Sequence, residues 1–397
     1  MARKILHVDL DAFFCAVEEK FDPSLKGKAF ATGGSPQGRG VVTSCSYAAR
    51  RKGIRSAMPM VQALRKCPDL IAVRGHYGEY TRFSRQVMER CKQLTPLVEQ
   101  ISIDEAFLDV TDLPQPAEEI AAELQMKIWS ETGLPCSIGV ASNKLMAKIA
   151  TNIGKSSHRE PTPPMAILNI PPGAEKEFLA PLPISEMWGI GPKSEKRFNQ
   201  LGILTIGDIL KIPFATLQQN FGKFAQELVQ RAQGKDDRLV GDYEGIKSVS
   251  NEVTFFDDVE DKRMLLRTIK GLAEKVGARL RTKGLMGKTV RVKLRWPSFE
   301  TITRQTSLPQ PTNQDSVIYQ TSVKLFMREW EPGKKIRLIG VGVAQICEQT
   351  QQLSLFDHTF EKEKKLLDAL DDLHRRYGEK AIHKGVGRKN QRTWKEE

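Results

Sequence analysis

The proline-rich stretch PTPPMAILNIPPG at residues 161–173 limits the architecture of this chain more than any other feature. Proline fixes φ and removes a backbone donor, so neither a helix nor a central strand runs through such a segment, and it divides the chain. Upstream, strand and helix patterns alternate. Residues 3–9 read as a strand and 11–20 (DAFFCAVEEK) as a helix, while 31–60 mix glycine, proline and basic residues around one β-like run, VVTSCS. Residues 98–110 read as two short strands about a tight turn, 117–131 as a helix, and CSIGVAS as a further strand. The alternation predicts an α+β sheet with helices on one face. Downstream, 174–233 reads as short helices with glycine turns, GKDDRLVGDYEG as a linker, and 247–347 as a second α+β unit. A glutamine-rich patch, a short apolar motif and a charged helix follow. In that helix Leu366, Leu370, Leu373 and Tyr377 share one stripe, open to docking on the body or on a partner.

At 397 residues, 40% of them hydrophobic, the chain has material for roughly two to four domains. A net charge of +13 suits a polyanionic partner and equally a merely solvated basic surface, so the motifs must choose. Six cysteines are scattered without a CxxC pair, which argues against a disulfide framework and a structural zinc site and fits a reducing cytoplasm. In MARKILHVDLD the carboxylates interrupt the apolar run before a signal-peptide core can form, and no stretch approaches a membrane span.

Carboxylates cluster in two places. In HVDLDAFFC, Asp9 and Asp11 share a face if the strand continues, and turn apart if the helix begins there. In SIDEAFLD, Asp104 and Glu105 are adjacent and serve one site only where the backbone leaves regular strand geometry, at a hairpin end. Together with Asp9 they would form an oxygen-only cluster suited to Mg²⁺. Later, TVRVKLRW alternates, with Val290, Val292, Leu294 and Trp296 on one face and Arg291, Lys293 and Arg295 on the other: a half-buried strand with a basic exposed side. In NIGKSS, Lys155 resembles the end of a P-loop, but Ile149 stands where the upstream glycine belongs, so that reading fails.

Four motifs, HVDLDAFFCAVEE, SCSYAARRKGIRSAMP, SIDEAFLDV and GVASNKLMAKIATNIGKSS, occur in the order and approximate spacing of Y-family translesion DNA polymerases, and the chain resembles their bacterial branch from residue 3 to about 347. The resemblance implies an α+β multidomain, right-hand-like polymerase: palm at 1–10 and 75–165, fingers at 11–74, helical thumb at 166–233, linker at 234–246, little finger at 247–347 and tail at 348–397. It implies template-directed, low-fidelity translesion synthesis from dNTPs. Two Mg²⁺ ions, with Mn²⁺ as substitute, would be held by Asp9, Asp104, Glu105 and the main-chain carbonyl of Leu10. Phe13, Phe14, Ser44, Tyr47, Arg50 and Lys155 match dNTP-binding positions. Phe14 falls at the steric gate, the ring beneath the incoming sugar that excludes a 2′-hydroxyl.

ISEMWGIGPKSEKRFNQLGI resembles a helix-hairpin-helix, with Gly189 and Gly191 at the hairpin and Glu195 where a small residue is usual. Gly189, Gly191, Arg291, Lys293 and Arg295 are then the expected primer-template DNA contacts. QLSLF resembles the peptide that docks bacterial polymerases on the sliding clamp, through Gln352, Leu353, Leu355 and Phe356. A cytoplasmic monomer is implied. A non-catalytic DNA-binding homologue and a palm-like nucleotidyl cyclase are the rivals; the retained Asp9, Asp104, Glu105, Arg50 and Lys155 oppose the first. The hairpin, basic sheet and clamp peptide have no use in the second.

Overall fold

The computed structural model describes residues 2–241, 245–348, 358–378 and 382, with 358–365 by main chain alone. Two compact units divide the chain, Met1–Tyr243 and Glu244–Glu397.

The first unit opens with β1 (Ile5–Leu10) and α1 (Phe13–Phe21), then β2 (Phe30–Gly33), β3 (Val42–Cys45), α2 (Tyr47–Arg51), α3 (Met60–Lys66) and β4 (Ile71–Val73). Strands β3-β2-β4 make a small sheet around Ala31, Cys45, Ile54 and Met60. Only VVTSCS was legible as a strand here, because β2 and β4 are too short to show alternation.

Next come α4 (Tyr77–Leu94), β5 (Val98–Gln100), β6 (Glu105–Asp109), α5 (Ala117–Thr132), β7 (Cys136–Ala141), α6 (Lys144–Ser157) and β8 (Ile167–Asn169). They build a five-stranded sheet in the order β5-β6-β1-β7-β8, with β1 at the centre. Leu6, Val8 and Leu10 point to one face, where Val87 of α4 and Ile120 and Leu124 of α5 cover them. Helix α6 lies on the opposite face, so helices flank both sides of the sheet and not one. The cause is Gly139: a Cβ there would meet the Ala147 carbonyl at 2.0 Å and the Thr151 nitrogen at 2.6 Å. Without a side chain at that point, the α6 backbone rests directly on β7. The proline-rich stretch does not divide the chain as expected: it lies inside the first unit, and the units part at 243/244. Its middle forms β8, which pairs in parallel with β7 at the sheet edge, where the flanking prolines need no ladder partners.

The remainder of this unit is helical, with α7 (Glu175–Leu179), α8 (Pro192–Gln200), α9 (Phe214–Phe221) and α10 (Phe224–Ala232). Ile184, Phe198, Ile206, Leu217 and Leu228 share a core with Leu145 and Ile149 of α6. The polar stretch expected as a linker is bound over its first part. Asp236 accepts from the Leu145 N–H at 3.0 Å, the Gly234 carbonyl from Asn143 at 2.8 Å, and the Leu239 carbonyl from Lys144 at 2.9 Å. Polarity there satisfies helix-start donors, so it signals strapping and not freedom.

The second unit contains β9 (Ser248–Val259), α11 (Lys262–Thr282), β10 (Leu285–Arg295), β11 (Thr301–Thr312), α12 (Asp315–Glu329), β12 (Ile336–Glu348) and α13 (His358–Tyr377). Its antiparallel sheet runs β11-β10-β12-β9. Val290, Val292 and Leu294 are buried against Leu265, Ile269 and Val276 of α11 and Phe326 of α12, as their alternation predicts. In α13 the inward face is turned by one residue from the expected stripe: Leu367 is buried, while Leu366 and Tyr377 are exposed. Asp371 sets that rotation by accepting from Arg281 Nε at 2.6 Å. Arg281 also donates to Asp315 at 2.7 Å, so the helix docks on its own unit. Among the described residues no helix is long and apolar enough to cross a membrane.

The close seat of α6 gives the first test. Gly139→Val should force the helix off the sheet and lower the unfolding free energy by at least about 1–3 kcal/mol in urea denaturation. An unchanged midpoint would show that α6 does not depend on that contact.

Candidate active site

Asp9 lies next to the end of β1, on the α6 face. Its register partner on β6 is Glu105 and on β7 is Ser137, so Asp9 and Glu105 are cross-strand neighbours on one face. Asp104 sits in the turn before β6, and its carbonyl accepts from the Leu10 N–H at 3.0 Å. Ser102 clasps the turn: its hydroxyl donates to the Asp104 carboxylate and accepts from the Glu105 N–H at 3.0 Å. The turn thus delivers Asp104 and Glu105 together to the end of β1.

Helix α6 answers this negative charge with two lysines two turns apart. Lys155 Nζ lies 2.6 Å from Asp9 and 3.1 Å from Asp11, and Lys148 Nζ lies 2.7 Å from Glu105. Burial opposes the charge on Lys155, but Asp9 and Asp11 outweigh it and hold its pKa above the usual lysine value. Burial raises the Glu105 carboxyl, Lys148 lowers it, and neighbouring Asp9 and Asp104 raise it further. His7, beneath them, is held neutral by burial and by both lysines, and its Nδ1 meets the Thr151 hydroxyl at 2.9 Å. Among the described residues no three carboxylate, imidazole or thiol groups converge closely enough to hold a metal ion as they stand. Two ammonium groups take the cation's part: Lys155 meets oxygens of Asp9 and Asp11, and Lys148 meets Glu105 with His7 Nε2 3.4 Å away. The carboxylate oxygens are the hard donors that Mg²⁺ prefers.

The helix α2 borders the same place. Ser46 caps it by accepting from the Ala49 N–H at 3.2 Å, and Ser44 is buried on the preceding strand. Tyr47 and Arg50 stand one turn apart, with the Arg50 guanidinium 5.1 Å from the Tyr47 ring centre. Arg50 is exposed overall, and its Nε donates to the Cys45 carbonyl at 3.2 Å.

Of the two roles the sequence leaves for Asp11, structural residue or helix start, the structure shows the first. Asp11 is wholly buried, accepts from Ser137 at 2.9 and 3.0 Å, from the Met165 N–H at 3.0 Å and from the Tyr47 hydroxyl at 3.4 Å, and faces Lys155. It therefore joins β7, the β8 approach, α2 and α6, and no local pattern announces that. Nor does it start the helix: Ala12 is the cap residue, with φ 45° and no side-chain cap. That left-handed turn, unfavourable for alanine by roughly 1–2 kcal/mol, swings the chain so that successive rings diverge. Phe13 goes into the core at 3% exposure, packed with Leu10 and Val17. Phe14 stays half-buried at the surface of that core and stacks on Tyr80. Lys148, His7 and Tyr80 were also unforeseen; the seven-residue spacing of Lys148 and Lys155 was the available signal.

In the hairpin, Gly189 takes φ +97°, a conformation that favours glycine, and Gly191 leads extended into α8. Glu195 lies in the first turn of α8. In the second unit Arg291 is exposed, Lys293 donates to Glu252 at 2.8 Å, and Arg295 donates to Thr301 at 2.8 Å. Only Arg291 of the three has no ion pair or hydrogen bond of its side chain among the described residues. Gln352, Leu353, Leu355 and Phe356 lie outside the described residues.

The Asp11 network has a measurable weight. Asp11→Ala leaves the Ser137 hydroxyl and the Met165 N–H without their acceptor and the buried Lys155 with Asp9 alone, and should cost about 3 kcal/mol of unfolding free energy. A loss below about 0.5 kcal/mol in denaturant titration would show that the network does not hold these elements together.

The impB/mucB/samB family matches residues 8–152, its C-terminal domain residues 246–355 and its HHH motif residues 172–203. The chain is 39% identical to DNA polymerase IV of Desulfatibacillum aliphaticivorans over 381 residues, 94% of each chain. It is 36% identical to DNA polymerase IV of Listeria monocytogenes serovar 1/2a over 348 residues, 87% of this chain and 96% of the relative. Among solved structures it is similar to a Y-family DNA polymerase chimera of Dbh and Dpo4, with TM-score 0.76 and 26% identity over 87% of this chain and 99% of the other. The insertion ternary complex of Dbh DNA polymerase is similar at TM-score 0.63 and 26% identity, with the same coverage. The chain belongs to the impB/mucB/samB family of Y-family DNA polymerases, and it is a DNA-directed, translesion DNA polymerase most like bacterial DNA polymerase IV.

Proposed function

We propose that the chain extends a primer 3′-hydroxyl from dNTPs by two-metal-ion nucleotidyl transfer with low fidelity. One observation carries the reading: Asp9 and Glu105 are register neighbours, Asp104 is clasped beside them, and lysine ammonium groups rest on the carboxylates. Asp9, Asp104, Glu105 and the Leu10 carbonyl would hold the ions, with the lysines moving off toward substrate. Bound Mg²⁺ supplies Lewis acidity toward the hydroxyl and charge relief on the triphosphate.

The chain's own contribution is alignment. Lys155, Arg50 and Tyr47 are placed to take the phosphates, Arg50 by charge-assisted hydrogen bonds from its fork. Phe14 lies beneath the sugar and offers a 2′-hydroxyl a clash without a partner. Residues 11–74 act as fingers, too small to check the nascent pair closely, which suits damaged templates. The five-stranded sheet serves as palm, 166–233 as thumb and 247–347 as little finger, with the first part of the linker bound to the start of α6 through Gly234 and Leu239. The Dbh insertion ternary complex supports primer-template DNA and nucleotide as joint partners.

Phosphate contacts fall to the Gly189–Gly191 hairpin and to the basic face of β10, without sequence readout. Arg291 carries most of that face, since Lys293 and Arg295 are engaged with Glu252 and Thr301. QLSLF docks on the sliding clamp of a bacterial cytoplasm, and the polymerase works as a monomer.

Primer extension on an undamaged template with Mg²⁺ tests the core of this reading. Asp104→Ala should reduce extension by at least about 10³-fold, with DNA affinity kept within about two-fold, and EDTA should abolish the wild-type activity. Near-normal extension by the variant would remove Asp104 from the metal site. For the clamp, replacing Leu355 and Phe356 by alanine should remove clamp stimulation while distributive synthesis continues; equal stimulation would exclude the peptide.

A further inference from the structure

The chemistry above leaves a buried carboxylate on α1 unused. Glu18 lies four residues beyond Phe14, on the same helix face, and its side chain is only 2% exposed. A carboxylate in that position needs partners, and three meet it. The His76 N–H donates to Oε1 at 2.9 Å, His76 Nδ1 lies 2.8 Å from Oε2, and the Tyr80 hydroxyl donates to Oε1.

Tyr80 connects this carboxylate to the nucleotide side. It is 1% exposed, and its ring stacks on Phe14 with centroids 4.0 Å apart and planes 8° from parallel. Phe13 flanks it at 6.1 Å and Tyr77 at 5.5 Å. The Tyr80 ring is therefore fixed at both ends, by stacking along its face and by Glu18 at its hydroxyl. Phe14, with one face on that shelf, cannot tilt unless the shelf does.

We propose that Glu18, acting through Tyr80, is a positioning residue for sugar selection: it fixes the plane of the Phe14 ring. The inference rests on reading Phe14 as the ring beneath the incoming sugar. Rejection by steric clash works only against a wall that does not yield, because repulsion between non-bonded atoms falls away within a few tenths of an ångström. Stacking alone leaves a ring free to slide on its neighbour. The hydroxyl bond to a buried carboxylate, itself held by His76, removes that freedom.

The experiment measures kcat/KM for a deoxynucleotide and for the matching ribonucleotide with wild type, Tyr80→Phe, Glu18→Gln and Phe14→Ala. Tyr80→Phe keeps the ring and removes only the hydroxyl; Glu18→Gln keeps the shape and loses acceptor capacity. Both should lower the deoxy-to-ribo ratio by roughly 3- to 30-fold, mainly by admitting the ribonucleotide. Phe14→Ala should lower it further, and adding Tyr80→Phe to Phe14→Ala should change it by less than about two-fold, since both act through one ring. If Phe14→Ala lowers the ratio while Tyr80→Phe and Glu18→Gln leave it within about two-fold of wild type, Glu18 does not position the gate. Parallel losses for both nucleotides, with an unchanged ratio, would assign Glu18 a purely structural role and overturn the proposal. An unchanged ratio in Phe14→Ala would overturn the gate reading, and this inference with it.

Discussion

Asp9, Asp11, Asp104 and Glu105 gather at the end of one strand, and like charges about 4 Å apart near a protein surface repel by roughly 4 kcal/mol per pair. The first unit is arranged around relieving that repulsion. Lys155 and Lys148 of α6 do most of it, from positions two turns apart that reach Asp9, Asp11 and Glu105. The lysines can reach only because α6 lies directly on β7, and it lies there only because residue 139 has no side chain. Helix placement, sheet register and site electrostatics are one constraint seen at three scales.

That constraint also makes the site adjustable. Ammonium groups on the carboxylates keep the cluster compact, and each sits at the end of a flexible side chain. Asp11 is different in kind. Its contacts are to a strand hydroxyl, a main-chain N–H, a tyrosine and a lysine, so it binds elements together and is not available for exchange. Two acids two residues apart thus have unlike tasks because the strand ends between them. The left-handed Ala12 that follows separates the two phenylalanines in the same way, one into the core and one to its half-buried surface.

Much of this was legible from local pattern. The alternation in TVRVKLRW placed four apolar residues inward, and all four are buried. The hairpin end in SIDEAFLD was required if adjacent carboxylates were to act together, and a turn occurs there. Other readings failed where a residue's partner is distant. The polar stretch after residue 233 looked free because its acceptors are used by Leu145, Asn143 and Lys144, far away in sequence. The stripe in α13 was misjudged by one residue because the ion pair of Asp371 with Arg281 orients the helix, and hydrophobic period alone does not include it. Lys293 looked like a free cation until its cross-strand neighbourhood placed Glu252 within 2.8 Å.

By itself the sequence determined what depends on near neighbours: which strand faces are apolar, that a turn must precede the paired carboxylates of SIDEAFLD, and, through four motifs in order, which family it resembles; the boundary expected at its prolines falls instead at 243/244. Tertiary structure decided what depends on contacts across many residues. It set which of the opening acids stays buried, which phenylalanine remains at the surface, which lysines reach the carboxylates, and that Glu18 and Tyr80 stand behind Phe14. The physical reason is that burial and charge pairing are properties of three-dimensional neighbours, and a sheet ordered β5-β6-β1-β7-β8 brings together residues that lie about a hundred positions apart in the chain.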